Sequence, residues 1–347
     1  TINGLQANTR YSYRIGSDTA GWSATHEFNT ANDNTFNFIV AGDPQIGAVG
    51  FGEATYAQAI NQGANWQRIM SQAFNLYPDA SFFIAPGDVV QRPKESYFKA
   101  LLNQEVIRTR PSVMLEASHD DADYEKNESI FHQHIFQPTP SYPATNAKGF
   151  FWFKHGDTLF IHADYTYISE TDPREYIIQA VEQIPDTKWR IYLLHYSYYA
   201  AGFHANASTA AILRQQFSPI LDNMGIDLVI FGHDHAYLRT PQLLNDQVVA
   251  ITPHLGNVPG VLNPEGAVYI QSNSSSGTKY YPLKSDIHQR YYTALARQTN
   301  TPSFINIDIN DNDLTIKSFE VDGDNNVTLF DQYRIHKTGI RPVLTAD

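Results

Sequence analysis

The chain has 347 residues, a formal charge of −12, no cysteine, and an aromatic-rich composition with 21 Tyr and 20 Phe. That length suits one large domain, or one domain and a small module, with a buried core. The missing cysteines exclude disulfides and thiolate metal sites. No apolar run has the length of a membrane span, and no Lys/Arg cluster interrupts the acidic balance, so neither a membrane nor nucleic acid is expected as a partner. A site for an anionic substrate must therefore carry its own local positive charge. Metal ions held by His, carboxylate, amide or hydroxyl ligands are the obvious source.

The first thirty residues stand apart. In "LQANTRYSYRIG", Tyr11, Tyr13 and Ile15 alternate, and "GWSATHEFNT" supplies a second short strand after a turn at Asp18–Gly21. The pair reads as the C-terminal hairpin (residues 1–31) of a fibronectin-type-III-like sandwich, with Tyr11 at the tyrosine-corner position; two strands alone are not stable, so the remaining strands are expected upstream, the alternative being a hairpin packed on the main domain. No signal segment is visible at Thr1. A cysteine-free chain with many Asn and Tyr fits a bacterial exported protein, so an extracellular or cell-envelope location is expected.

Further on, five apolar runs each end in polar residues: "FNFIVAGDPQ", "SFFIAPGDVV", "SVMLEASHDD", "RIYLLHYSYY" and "DLVIFGHDHAY". Their length and Val/Ile/Leu/Phe content predict buried strands. Trp66, Ile69, Met70, Ala73, Phe74 and Tyr77 recur on one helical face. Asp172-Pro-Arg-Glu175 predicts a helix N-terminus, closed by Pro185. Residues 208–223 form a third helical candidate. Strands alternating with helices predict an α/β layered fold. Gly149–Phe153 and Thr158–Ala163 read as a hairpin. The segment from Ser303 to Lys337 reads as strands with turns at Asp311–Asp313 and Asp322–Asn326. Those acidic turns are read as hairpin turns rather than calcium loops.

The chemistry lies in where the polar residues fall. Asp43, Asp88, His119, His195, His233 and His235 all sit within a few residues of a strand's carboxyl end. In open α/β sheets, that edge forms the ligand crevice. Carboxylates that can bridge two hard cations, with imidazoles around them, are the set such ions require. Each motif alone is ordinary, since G-D is usually a turn and a lone His is usually structural. Their order, G-D, G-D, H-D, H, G-H-x-H, is what singles them out.

That order, carried by "AGDPQIG", "PGDVV", "ASHD", "LLHYSYY" and "FGHDHAYLR", resembles the calcineurin-like metallophosphoesterase family over residues 36–337, leaving 338–347 as a tail. It is similar in particular to a purple-acid-phosphatase-like bacterial branch, whose members often carry a fibronectin-like domain before the catalytic one. The resemblance implies a four-layer αββα sandwich of two mixed sheets and two di- or trivalent metal ions, with Mn, Fe, Zn and Mg all admissible. It implies that Asp88 bridges the metals, that Asp43 and His235 bind the first, and that His195 and His233 bind the second. His119 matches a histidine that contacts the phosphate and assists the leaving group, with Asp120 beside it to orient the ring. His204 lies where that branch often places a further substrate-side histidine. The implied reaction is hydrolysis of a small phosphomonoester or phosphodiester by a hydroxide activated between two metals.

Three positions depart from the family pattern. Ala117 and Ser118 replace the Gly and Asn of its third motif, so a short hydroxyl stands where an amide ligand is usual. Gln45 stands where the ligand is often His, although Gln is common there in the branch that carries "GDPQIG". Gln91 stands at the tyrosine that gives purple phosphatases their colour, so no purple Fe(III) protein is expected. Ser118, a water, Asp121 or Asp123 would have to complete the second metal's shell. The alternative is a non-enzymatic secreted binding or structural module that keeps the fold. Tyr196, Tyr198 and Tyr199 either line the cleft or pack at the strand end, and His132 and His134 are read as packing residues or solvent-facing ones.

Overall fold

The computed structural model describes residues 4–30, 35–120, 130–137, 149–163, 172–253 and 256–344. Asp121 and Asp123 lie outside them.

Among the described residues, eight strands form one sheet, in the order Thr252–Pro253, Gly260–Leu262, Val327–His336, Asp313–Val321, Ser303–Ile309, Phe36–Val40, Phe83–Ala85, Ser112–Met114. A second sheet has seven, in the order Phe151–His155, Thr158–His162, Trp189–Leu193, Leu228–Phe231, Val268–Gln271, Tyr237–Arg239, Leu295–Arg297. Both sheets are mixed. The five predicted site-bearing strands form but divide between the sheets: Phe36–Val40, Phe83–Ala85 and Ser112–Met114 run parallel in the first, Trp189–Leu193 and Leu228–Phe231 in the second.

Strand periodicity explains the layering. Phe36, Phe38 and Val40 point into a core shared with Ile191, Leu193, Leu228 and Ile230 of the other sheet. Ile39 and Ala41, on the opposite face, pack beneath Trp66, Ile69, Met70 and Ala73. Tyr192, Leu194, Val229 and Phe231 face outward against Tyr176, Ile177, Leu213 and Phe217. Helix, sheet, sheet and helix stack in that order, as expected. With apolar residues on both faces, the strands read as unbroken hydrophobic runs.

The helices form where their sequence signals lie. Tyr56–Leu76 opens on a capping box between Thr55 and Gln58 and buries the face predicted from Trp66 to Phe74. Pro173–Gln183 is capped by Asp172, whose side chain accepts the Arg174 N–H. Ser208–Asn223 packs on the second sheet. The C-terminal strands turn at 310–312 and 322–326, as the acidic runs predict. Within the latter, the Asp322 carboxylate accepts the Asp324 and Asn326 N–H groups, which is turn chemistry. The segment after Lys337 docks back on the domain, where buried Arg341 pairs with Asp222 at 3.2 Å.

At the N-terminus, Arg10–Tyr13 pairs antiparallel with His26–Asn29. Tyr11 and Tyr13 share the less exposed face, whereas Ile15 lies beyond the strand and is largely exposed. The Tyr13 hydroxyl donates to the Arg108 carbonyl at 2.7 Å and ties the hairpin to the main domain.

Candidate metal centre

The two G-D motifs form a continuous ledge beyond the first sheet. Past the strand ends, Gln45 N–H donates to the Asp88 carbonyl at 2.8 Å and Ile46 N–H to the Val89 carbonyl at 3.1 Å. Gly87 is required here. Its φ is +96°, and a Cβ would lie 2.6 Å from His195 Nδ1 and 2.7 Å from the Ala117 Cβ. Gly232, which opens the G-H-x-H motif, is needed for space alone, since a Cβ there would lie 2.5 Å from Asp43 Oδ2.

Asp43, Gln45, Asp88, His233 and His235 all have positive φ, from 32° to 75°. Left-handed backbone is uncommon outside glycine and costs of order 1–3 kcal/mol per residue when the fold enforces it. Five of the seven expected ligands adopt it, so the fold holds strained backbone where these side chains converge.

Asp88 is at the centre. Its Oδ2 is 3.1 Å from His195 Nε2 and 4.0 Å from His119 Nε2, and its Oδ1 accepts the His119 N–H at 3.2 Å. Ligand atoms of Asp88, His195 and His233 all lie within 4.8 Å of one another, a spacing one metal ion can span. On the other side, His235 Nε2 is 4.0 Å from Asp43 Oδ1, which also accepts the His233 N–H at 2.9 Å. His195 Nδ1 donates to the Pro86 carbonyl at 2.8 Å, and His235 Nδ1 to the Lys279 carbonyl at 3.0 Å. A carbonyl only accepts, so in both rings Nδ1 carries the proton and Nε2 is turned inward, as a metal ligand requires.

The donor set fits metal. Asp43 Oδ2 and both amide atoms of Gln45 are buried with no hydrogen-bond partner among the described residues. Buried polar atoms are ordinarily satisfied, and these belong to the motif whose backbone bonds to the Asp88 loop. Burial pushes the Asp43 carboxyl up to about 7 despite the His195 charge. Burial alone would also raise Asp88, but His195, with its Nε2 at 3.1 Å, holds it below the usual carboxylate range. Burial drives His233 well below its ordinary value and His235 to about 3, which keeps both rings neutral.

Ser118 is half-buried, directly before the His119 N–H that reaches Asp88. The expected ring-orienting role of Asp120 is corrected. Its two carboxylate oxygens accept the Val90 N–H at 2.9 Å and the Ala117 N–H at 3.0 Å, so it ties the Asp88 loop to the His119 loop. The His119 ring is oriented by the Gln91 carbonyl, 2.9 Å from its Nδ1. This bond to main chain left no mark in the sequence. His204 does reach the centre, with its ring centroid 3.9 Å from that of His233, and burial brings it down to about 4. It is positioned by Asp234, whose carboxylate accepts the N–H groups of His204 and Gly202.

Of the open alternatives, Tyr196 lies at the site, 4.4 Å from His233 between ring centroids, while Tyr198 and Tyr199 are buried in the second sheet's outer core. His132 pairs with buried Glu116 at 2.9 Å and His134 with Glu95 at 3.0 Å. Sequence reasoning passed over Lys279, Tyr281 and the role of Asp234. The first two follow a serine-rich loop with no motif, and Asp234 was visible only as the spacer of H-x-H.

An αββα sandwich with a buried Asp/His cluster on the strand ends defines a layered α/β protein with a candidate metal centre. The calcineurin-like phosphoesterase family model matches residues 36–237, and the chain belongs to that family. It is 24% identical over 259 residues to purple acid phosphatase 22 of Arabidopsis thaliana, covering 71% of this chain and 54% of the relative. The chain thus spans about half the length of that curated relative. Among solved structures, purple acid phosphatase PPD1 from yellow lupin (Lupinus luteus) seeds superposes with a TM-score of 0.74 at 15% identity, over 99% of this chain and 62% of the other. PhoD superposes at 0.64 and 10% identity, over 99% and 79%, and GAP50 of Plasmodium at 0.53 and 12%, over 90% and 91%. These likenesses establish the fold.

Proposed function

We propose that this chain hydrolyses a small phosphate ester with the help of two metal ions. One observation carries the reading: Asp88, His195 and His233 converge within 4.8 Å while Asp43 Oδ2 and the Gln45 amide are buried beside them without partners. Asp43, Gln45 and His235 would hold the first ion and His195 and His233 the second, with Asp88 between them and Ser118 at the margin of the second. Bound there, the ions supply Lewis-acid polarisation of a phosphoryl oxygen and acidify a coordinated water.

The protein's own groups do the rest. His119, held through Nδ1 by the Gln91 carbonyl, keeps its Nε2 edge toward Asp88, where it can hand a proton to the leaving oxygen. His204, stacked near His233, borders the same cleft on the substrate side. The purple acid phosphatase relatives support phosphomonoesters as the first substrates to try. An extracellular or cell-envelope setting and an N-terminal fibronectin-like module belong to the same proposal. The module is supported by the Tyr11 hydroxyl, which accepts the Gln6 N–H at 2.8 Å in the manner of a tyrosine corner.

The second reading, a binding or structural module that has lost catalysis, rests on Ala117–Ser118 in place of the family's Gly–Asn. Fold does not settle activity, and one solved relative of this fold is described as the anchor in the inner membrane complex of Plasmodium. Metal content measured together with hydrolysis of a generic aryl phosphate separates the two. Two metals per chain and turnover are expected. No metal and no turnover would sink the enzyme, and full activity with a single metal would sink the two-metal arrangement.

A further inference from the structure

Lys279 borders the metal centre without belonging to the ligand set. It follows the strand Val268–Gln271 in a loop stitched to the Asp43 motif. Ser275 N–H donates to the Gly42 carbonyl at 2.7 Å, and Ser274 Oγ to the Asp43 carbonyl at 3.2 Å. The Lys279 carbonyl itself receives the His235 Nδ1–H. Its backbone is therefore anchored to both sheets' contributions to the site.

The side chain is the unusual part. Lys279 is 8% exposed, yet among the described residues its ammonium has neither an ion pair nor a hydrogen bond. It lies instead 5.1 Å from the Tyr281 ring centroid and 5.3 Å from that of Phe51. Tyr281 is in turn 5.3 Å from the His235 ring and 5.6 Å from the His204 ring. The acidic groups acting on Lys279 are Asp88 and Asp43, the two carboxylates of the centre. Aromatic faces hold a cation in place without neutralising it. The residue as a whole is packed, but its ammonium has no fixed hydrogen-bond partner among the described residues, so an anion arriving from solution can take that place.

We propose that Lys279 is a fixed phosphate-binding cation of this centre, its ammonium taking a non-bridging oxygen of the substrate phosphoryl group and of the phosphate product. The inference rests on the phosphoesterase reading but is separable from it. In a chain of charge −12, Lys279 supplies positive charge that remains when metal occupancy changes. A lysine suits this role as a compact point charge on a flexible stem.

The test uses the metal-loaded full chain and inorganic phosphate as the probe, with binding followed by calorimetry and by competitive inhibition of aryl phosphate hydrolysis. Lys279→Met is expected to weaken phosphate binding and raise KM by about tenfold or more, the loss typical of a charge-assisted contact. Its kcat and metal content should stay near wild type, and Lys279→Arg should restore part of the affinity. Unchanged phosphate affinity and KM in Lys279→Met would overturn the proposal. Loss of metal from that variant would also overturn it, by assigning Lys279 to holding the His235 loop. Phosphate binding that depends on Lys279 in a protein without turnover would remove the phosphatase reading and leave the anion site standing.

Discussion

Asp234 holds His204: its Oδ1 accepts the His204 N–H at 2.7 Å, and its other oxygen accepts the Gly202 N–H. The spacer between two candidate ligands thereby fixes the loop that brings a third histidine onto the cleft. Burial raises the Asp234 carboxyl to about 6, and the two N–H bonds work against that rise. Asp234→Asn keeps the shape but replaces one acceptor with an NH₂ that cannot accept. An unsatisfied buried N–H costs roughly 1–3 kcal/mol, so kcat/KM for an aryl phosphate should fall about tenfold as the His204 loop loosens. Metal content should hold. Steady-state kinetics with metal analysis checks this, and unchanged kinetics would remove His204 from the substrate side.

Ser118 tests the weak point of the centre. An amide reaches further than a hydroxyl and offers a better carbonyl ligand to a hard cation. Ser118→Asn should tighten the more weakly held metal by about an order of magnitude, a change of ~1.4 kcal/mol. Competition with a chromogenic chelator measures it. Equal affinity in the two proteins would mean that Ser118 is not beside the second ion.

Gly87→Ala is expected to disrupt stability and site together. The new Cβ would collide with His195 Nδ1 and with Ala117 at a backbone φ of +96°. Overpacking of this kind typically costs about 1–3 kcal/mol, and left-handed backbone in a residue with a Cβ adds to it. A lower urea midpoint with unchanged slope is the expected result, accompanied by weaker metal binding because His195 must move.

Metal and fold should be thermodynamically linked. An ion that binds only the folded state stabilises it by about 2.7 kcal/mol at a hundredfold excess over its Kd. Chelator-treated protein should therefore melt at a lower temperature than protein supplied with Mn²⁺ or Zn²⁺. Asp88→Asn, which removes the central carboxylate charge, should abolish most of that difference. Differential scanning calorimetry with and without metal decides it, and an equal metal-dependent shift in the variant would exclude Asp88 as a ligand.

Much of this molecule was legible in one dimension. The face from Trp66 to Phe74, the Asp172 cap and the C-terminal run of strands follow from periodicity and turn chemistry, which act over a few residues. The candidate ligands were legible for the same reason, because each sits where an apolar run stops. Contacts between a side chain and distant main chain were not. The Gln91 carbonyl that orients His119 and the backbone N–H groups that occupy Asp120 have no residue-type signature, so the expected Asp120–His119 contact gave way to a loop tie.

The sequence by itself determined which residues carry polar chemistry at strand ends, because alternation and chain breaks are local properties. Tertiary structure decided how they meet. Asp43, Asp88 and His119 come from one sheet, His195, His233 and His235 from the other, and the shared apolar core between the sheets brings the two edges into register. Only that packing could bring Lys279, which belongs to no motif, to the centre, where its carbonyl receives the His235 Nδ1–H. Burial then set the charges, because desolvation depends on what surrounds a group in space and not on its neighbours in the chain.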